Sequence, residues 1–92
     1  MRQVAWTTDA AGDRLRLVAY LAEDNPYAAR RLAMELDQAA ASLTDFPHRG
    51  RPGQVAGTRE LVTVPPYIMV YEMDPAMSAV VILRVWHAAQ DR

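Results

Sequence analysis

The chain has 92 residues, a formal net charge of −1 and no cysteine, which leaves room for a single domain over 1–92 and excludes disulfides and thiolate chemistry. A near-neutral balance argues against a generic nucleic-acid binder of high isoelectric point, and no direct sequence-specific DNA binding is expected. No apolar signal core opens the chain and no run approaches the ~20 residues that span a membrane, so a cytoplasmic protein with no membrane partner is expected.

Residues 3–7, QVAWT, predict a short first strand. From Ala10 to Glu23, Leu15, Val18 and Ala22 recur at helical spacing, with Leu17, Tyr20 and Leu21 widening the stripe. EDNP then ends this helix, where Asn25 suits an N-cap and Pro26 the first position of a second helix. That helix is expected to run to about Leu43, with Ala29, Leu32, Leu36, Ala39 or Ala40, and Leu43 on its buried face. Two amphipathic helices with so tight a connection read as an antiparallel hairpin.

FPHRGRPGQVAGTREL, residues 46–61, is rich in glycine, proline and arginine. A phosphate-binding P-loop needs four residues between its glycines, a lysine and a helix behind it. Here three residues separate Gly53 from Gly57, the chain holds no lysine, and a strand is expected next. The glycines read instead as turn positions, with Pro47 and Pro52 stiffening a connection over 44–57. TRELVTV, YIMVYEM and AVVILRVWH follow as strands, separated by Pro65-Pro66 and by DPAMS. Such short connections favour antiparallel neighbours. The expected fold is therefore α+β: a first strand, then an antiparallel helical hairpin on one face of an antiparallel sheet that ends in a three-strand meander.

Metal binding has little support, since His48 and His87 lack acidic or cysteine neighbours at ligand spacing. Neither Ser42 nor Ser78 stands in a nucleophile motif. Within VVILRVWH, alternation puts Val81, Leu83, Val85 and His87 on one face and Ile82, Arg84 and Trp86 on the other. The first set is expected to meet the helices, leaving Arg84 and Trp86 on an open side that Arg59 also reaches. With Tyr67 or Tyr71 beside them, these residues would suit RNA or an acidic peptide. The plainer alternative pairs Arg84 with Glu60 or Glu72 across the meander. His87 is a candidate general acid or base, or else a strand-end ring bound to backbone. His48 reads as a solvated loop residue, and Trp6 and Trp86 as core or edge aromatics.

NPYAARRL, FPHRGRPGQVAGTRELV, PYIMVYEM and VVILRVWHAAQD, in that order and at this length, resemble the RelE/ParE superfamily of toxins from type II toxin–antitoxin modules. The resemblance covers nearly the whole chain. It implies a helical hairpin against an antiparallel sheet, no cofactor and no metal, and a cognate antitoxin as partner. RelE-like members cut mRNA on the ribosome, whereas ParE-like members inhibit DNA gyrase and are not enzymes of that kind. Arg59, Arg84 and His87 match family positions; an RNase reading would have the arginines hold the scissile phosphate and His87 transfer a proton. Arg49, Arg51, Tyr71 and Trp86 would support that surface. No lysine lies in the 44–57 loop and no tyrosine follows His87, so the ending is closer to ParE-like members. Gyrase inhibition is the preferred reading; mRNA cleavage and a non-toxic, antitoxin-binding relic are the alternatives.

Overall fold

The computed structural model describes residues 3–63 and 66–89. Val64 and Pro65, part of the expected break between strands, and residues 90–92, part of the family-like ending, lie outside the described residues.

The chain runs β1 (Gln3–Trp6), α1 (Thr8–Asp24), α2 (Pro26–Ser42), β2 (Arg51–Pro52), β3 (Thr58–Val62), β4 (Tyr67–Asp74) and β5 (Ala79–His87). The five strands form one sheet in the order β1-β5-β4-β3-β2. β2 through β5 pair antiparallel, while β1 lies parallel to β5. Both helices cover a single face.

α1 starts two residues before the periodicity predicts. Thr7 is its N-cap, with the hydroxyl oxygen accepting from the Ala10 N–H at 3.0 Å, and Asp9 sits in the first turn where the helix dipole favours an anion. Asn25 then serves two helices. Its N–H donates to the Leu21 carbonyl to close α1, and its side-chain oxygen accepts from the Ala28 N–H to open α2, where Pro26 takes the first position. The hairpin is tight because a single residue does both jobs.

The core lies between α2 and the sheet. Leu32, Leu36, Ala39, Ala40 and Leu43 meet Leu61, Met69, Tyr71, Val80, Ile82 and Val85, with Val4, Trp6, Leu17, Val18 and Leu21 packed around them. The α2 stripe is as the periodicity predicts. The α1 stripe is rotated: Leu15 and Tyr20 are 68% and 76% exposed, and the inward line is Ala10, Asp13, Leu17 and Leu21.

β5 does not alternate cleanly along its length. Tyr71 pairs with Ile82 and Val70 with Arg84, so Leu83 is an extra residue, a bulge. Val80 and Ile82 face the helices before it and Val85 after it. The expected core set of Val81, Leu83 and Val85 is therefore right only at Val85, and Ile82 belongs to the core. One inserted residue inverts the parity of everything before it.

Candidate functional site

β1 ends opposite Ile82, so the second half of β5 has no strand on that side. The start of α1 takes its place. The Thr7 N–H donates to the Ile82 carbonyl and the Thr7 hydroxyl to the Leu83 carbonyl, both at 3.0 Å. In the next turn Asp13 turns its carboxylate onto the strand edge, and Oδ2 accepts from the Val85 N–H at 3.0 Å. Arg84 binds the same carboxylate as a fork, Nε to Oδ2 at 2.8 Å and Nη2 to Oδ1 at 3.0 Å. Arg16 adds a contact to Oδ1 at 3.0 Å. The Asp13 side chain is only 8% exposed. Burial works against its charge, but the Arg84 and Val85 hydrogen bonds, the Arg84 charge and the Arg16 contact outweigh that and hold the carboxyl below its ordinary value. Its hydrogen bonds and charge in turn raise Arg84 above its usual value.

Arg84 therefore pairs with neither Glu60 nor Glu72, as the sheet pattern suggested, but with a helix residue 71 positions away. Glu60, 6% exposed, receives Arg51 at 3.2 Å from the short strand β2. Asp13 was not anticipated from the sequence. The available signal was an acidic residue on the line through Ala10, Leu17 and Leu21, where an apolar one belongs.

A second cluster forms where the long connection enters the sheet. Arg59 pairs in register with Tyr71, and Leu61, two residues on, is core, so Arg59 lies on the helix-covered face. Its Nη1 donates to the Gly50 carbonyl at 2.7 Å and the His48 carbonyl at 3.4 Å. Tyr71, expected on the open side, is fully buried. Its hydroxyl donates to the Pro47 carbonyl at 2.7 Å and accepts from the Gly50 N–H at 2.9 Å. A Cβ on Gly50 would lie 2.8 Å from the Tyr71 ring and 2.9 Å from the Glu60 carbonyl oxygen, so only glycine fits this approach. Arg49 points outward and donates to Ser42 Oγ at 2.8 Å. Phe46 is 66% exposed and His48 and Arg51 are exposed beside it.

At the far end of β5, Tyr67 meets the His87 ring edge-on, with centroids 5.3 Å apart. His87 Nδ1 accepts from the Ala89 N–H at 3.1 Å. Trp86 is half-buried on the uncovered face, in register with Ile68. The structure thus places Arg59 and Arg84 on different strands with β4 between them. Each side chain has its own internal acceptors, and the two do not converge with His87 on one open surface. Among the described residues, no group of three histidine, aspartate or glutamate side chains is placed to hold a metal ion. No helix of the described residues is long and apolar enough to cross a membrane.

The family model described as the ParE toxin of the type II toxin–antitoxin system parDE matches residues 4–92. Toxin RelE2 of Caulobacter vibrioides is 43% identical over 90 residues, covering 98% of this chain and 99% of its own. Among solved structures, a chain of the RelBE2 toxin–antitoxin complex of Mycobacterium tuberculosis superposes with a TM-score of 0.70 at 33% identity, covering 97% of this chain and 93% of its own. A chain of the chromosomal ParDE system of P. aeruginosa superposes with a TM-score of 0.84 at 22% identity, covering 95% and 96%. This last likeness concerns the fold alone.

Proposed function

The chain belongs to the ParE toxin family of type II toxin–antitoxin systems, and from that premise we propose that it arrests bacterial growth in the cytoplasm by inhibiting DNA gyrase, without cleaving RNA. A cognate antitoxin neutralises it by direct binding.

The observation that carries this reading is the occupation of both arginines. A ribonuclease of this fold needs cations free to meet a scissile phosphate and the charge that develops on it. Arg84 is held as a fork by a buried carboxylate, and Arg59 supports the backbone of a turn. Freeing Arg84 would leave Asp13 short of its strongest partner, a costly exchange for a buried charge. Gyrase inhibition by surface contact makes no such demand.

An antitoxin partner is supported by the toxin–antitoxin complex in which the structural relative at 33% identity occurs. The outer surface of the hairpin offers it Leu15, Tyr20, Tyr27 and Met34, each more than 60% exposed. Apolar side chains at that exposure suit an amphipathic segment that folds as it binds.

RNA cleavage stands as the second reading because the relatives at 43% and 33% identity carry RelE names. The two readings separate in one experiment. Purified gyrase is assayed for supercoiling and DNA cleavage while the toxin is titrated with and without antitoxin, alongside the Arg84→Ala variant. Inhibition with trapped cleaved DNA, relieved by antitoxin and retained within about threefold by Arg84→Ala, is expected. Unaffected gyrase, with growth arrest lost by about a hundredfold in a folded Arg84→Ala, would instead assign the protein to RNA cleavage.

A further inference from the structure

β5 is a strand whose sequence accepts two placements. Ahead of the bulge Val80 and Ile82 face the helices, and beyond it Val85 does. Had the pairing that joins residues 67–70 to residues 84–87 simply continued, Val81 and Leu83 would face inward in their place, with Tyr71 opposite Leu83. The two inward sets, Val80 with Ile82 and Val81 with Leu83, are nearly equal in volume and apolar area, so burial by itself favours neither strongly. The regular placement also avoids the break in the ladder that an extra residue makes. Something besides the core must therefore select the bulge.

The start of α1 supplies it. In a regular strand successive carbonyls point to opposite edges, yet those of Ile82 and Leu83 both accept from Thr7, one from its N–H and one from its hydroxyl, each at 3.0 Å. The bulge is what brings both carbonyls within reach of one residue. The same hydroxyl accepts from the Ala10 N–H, so the helix cap and the grip on the strand are one group. Further along, Asp13 Oδ2 accepts from the Val85 N–H at 3.0 Å, and its fork with Arg84 fixes the residue in between. Asp13 is the polar member of an inward line otherwise made of Ala10, Leu17 and Leu21, where a leucine would bury more apolar surface.

We infer that Thr7 and Asp13 form a register lock, which holds β5 in the bulged one of the two placements its sequence allows. The lock decides which aliphatic side chains share the uncovered face with Arg84 and Trp86. In the bulged placement Val80 and Ile82 are withdrawn from that face. In the regular one they would lie on it, and Leu83 would be withdrawn instead. The lock stands whichever target the toxin meets.

A full-length chain carrying both Thr7→Asp and Asp13→Leu tests it. The first change keeps a cap acceptor for Ala10 but cannot donate to Leu83, and the second extends the apolar line of α1. The Ile82 carbonyl points to Thr7, away from Tyr71, so Tyr71 and Ile82 form a pair whose Hα atoms lie close. Nuclear Overhauser spectra therefore read the register. A Tyr71–Ile82 Hα contact reports the bulge, and a Tyr71–Leu83 contact reports its loss. The parent is expected to show the first alone, and the double variant to show the second in about a tenth or more of its molecules. A folded double variant that keeps only the Tyr71–Ile82 contact overturns the inference, because packing would then suffice. If the double variant does not fold, deleting Leu83 from it decides. The shortened strand alternates regularly with Val80, Ile82 and Val85 inward and has no register to choose, so a cooperative thermal transition is expected to return. A shortened chain that stays unfolded overturns the inference, because the lost contacts would then serve stability and not register.

Discussion

Asp13 satisfies an arginine fork, a strand-edge N–H and a second arginine with one carboxylate. Arg84 is 46% exposed and Asp13 only 8%, so the pair is asymmetric: without Asp13, water can solvate Arg84 while the Val85 N–H loses its acceptor, whereas without Arg84 a buried carboxylate loses its forked partner. Asp13→Asn keeps the shape and removes the charge, and is expected to cost about 1–3 kcal/mol at neutral pH. Because folding lowers this carboxyl, its stabilising contribution is present above the unfolded value of about 3.9 and is lost as pH falls through the lower folded value. Urea titrations of parent and variant from neutral to strongly acidic pH should show a constant difference that closes only below that unfolded value. A difference indifferent to pH would mean that the carboxylate charge is not what Arg84 and Val85 recognise. Tyr71 likewise fills a role that composition does not announce. As an aromatic in a strand it reads equally well as an open-face ring, and only the position of the Pro47–Gly50 backbone above it makes the hydroxyl a buried fastening.

Asn25 is the clearest case at the scale of elements. The residue between two helices of 17 residues each closes one and opens the other. Asn25→Ala removes the side-chain acceptor for Ala28 and is expected to cost about 1 kcal/mol. In a domain this small that lowers the melting temperature by roughly 4–8 °C, which a thermal scan by circular dichroism reads directly. An unchanged scan would mean that Pro26 and the packed stripe set the start of α2 without the cap. This junction was legible in EDNP because capping is local chemistry. The bulge in β5 was not, for AVVILRVWH contains no glycine or proline to mark it. It arises where β1 ends and α1 takes over the strand edge, with Thr7 donating to the Ile82 and Leu83 carbonyls and Asp13 accepting from the Val85 N–H. The two-residue strand β2 was equally hidden, since its pairing with β3 depends on a turn held by Tyr71 and Arg59.

Across the whole molecule, a 92-residue chain buries a limited share of its surface and keeps several large apolar side chains in water. A partner that covers them and does not bind the unfolded chain adds stability by mass action. Antitoxin at about a hundred times its dissociation constant should contribute roughly 2.7 kcal/mol, raising the melting temperature by roughly 10–20 °C. Differential scanning fluorimetry with increasing antitoxin measures it, and a melting temperature independent of antitoxin would contradict direct binding to the native toxin. The helical hairpin, the order along the chain of the four strands other than β2, and the α2 half of the core were determined by sequence alone. Periodicity, caps and β-branched runs act over a few residues and need no distant partner. The faces of Arg59, Tyr71 and Ile82, and the pairing of Arg84 with Asp13, were decided only by tertiary structure. A single inserted residue reverses which side of a strand a side chain occupies, and the carboxylate that claims Arg84 is 71 residues away.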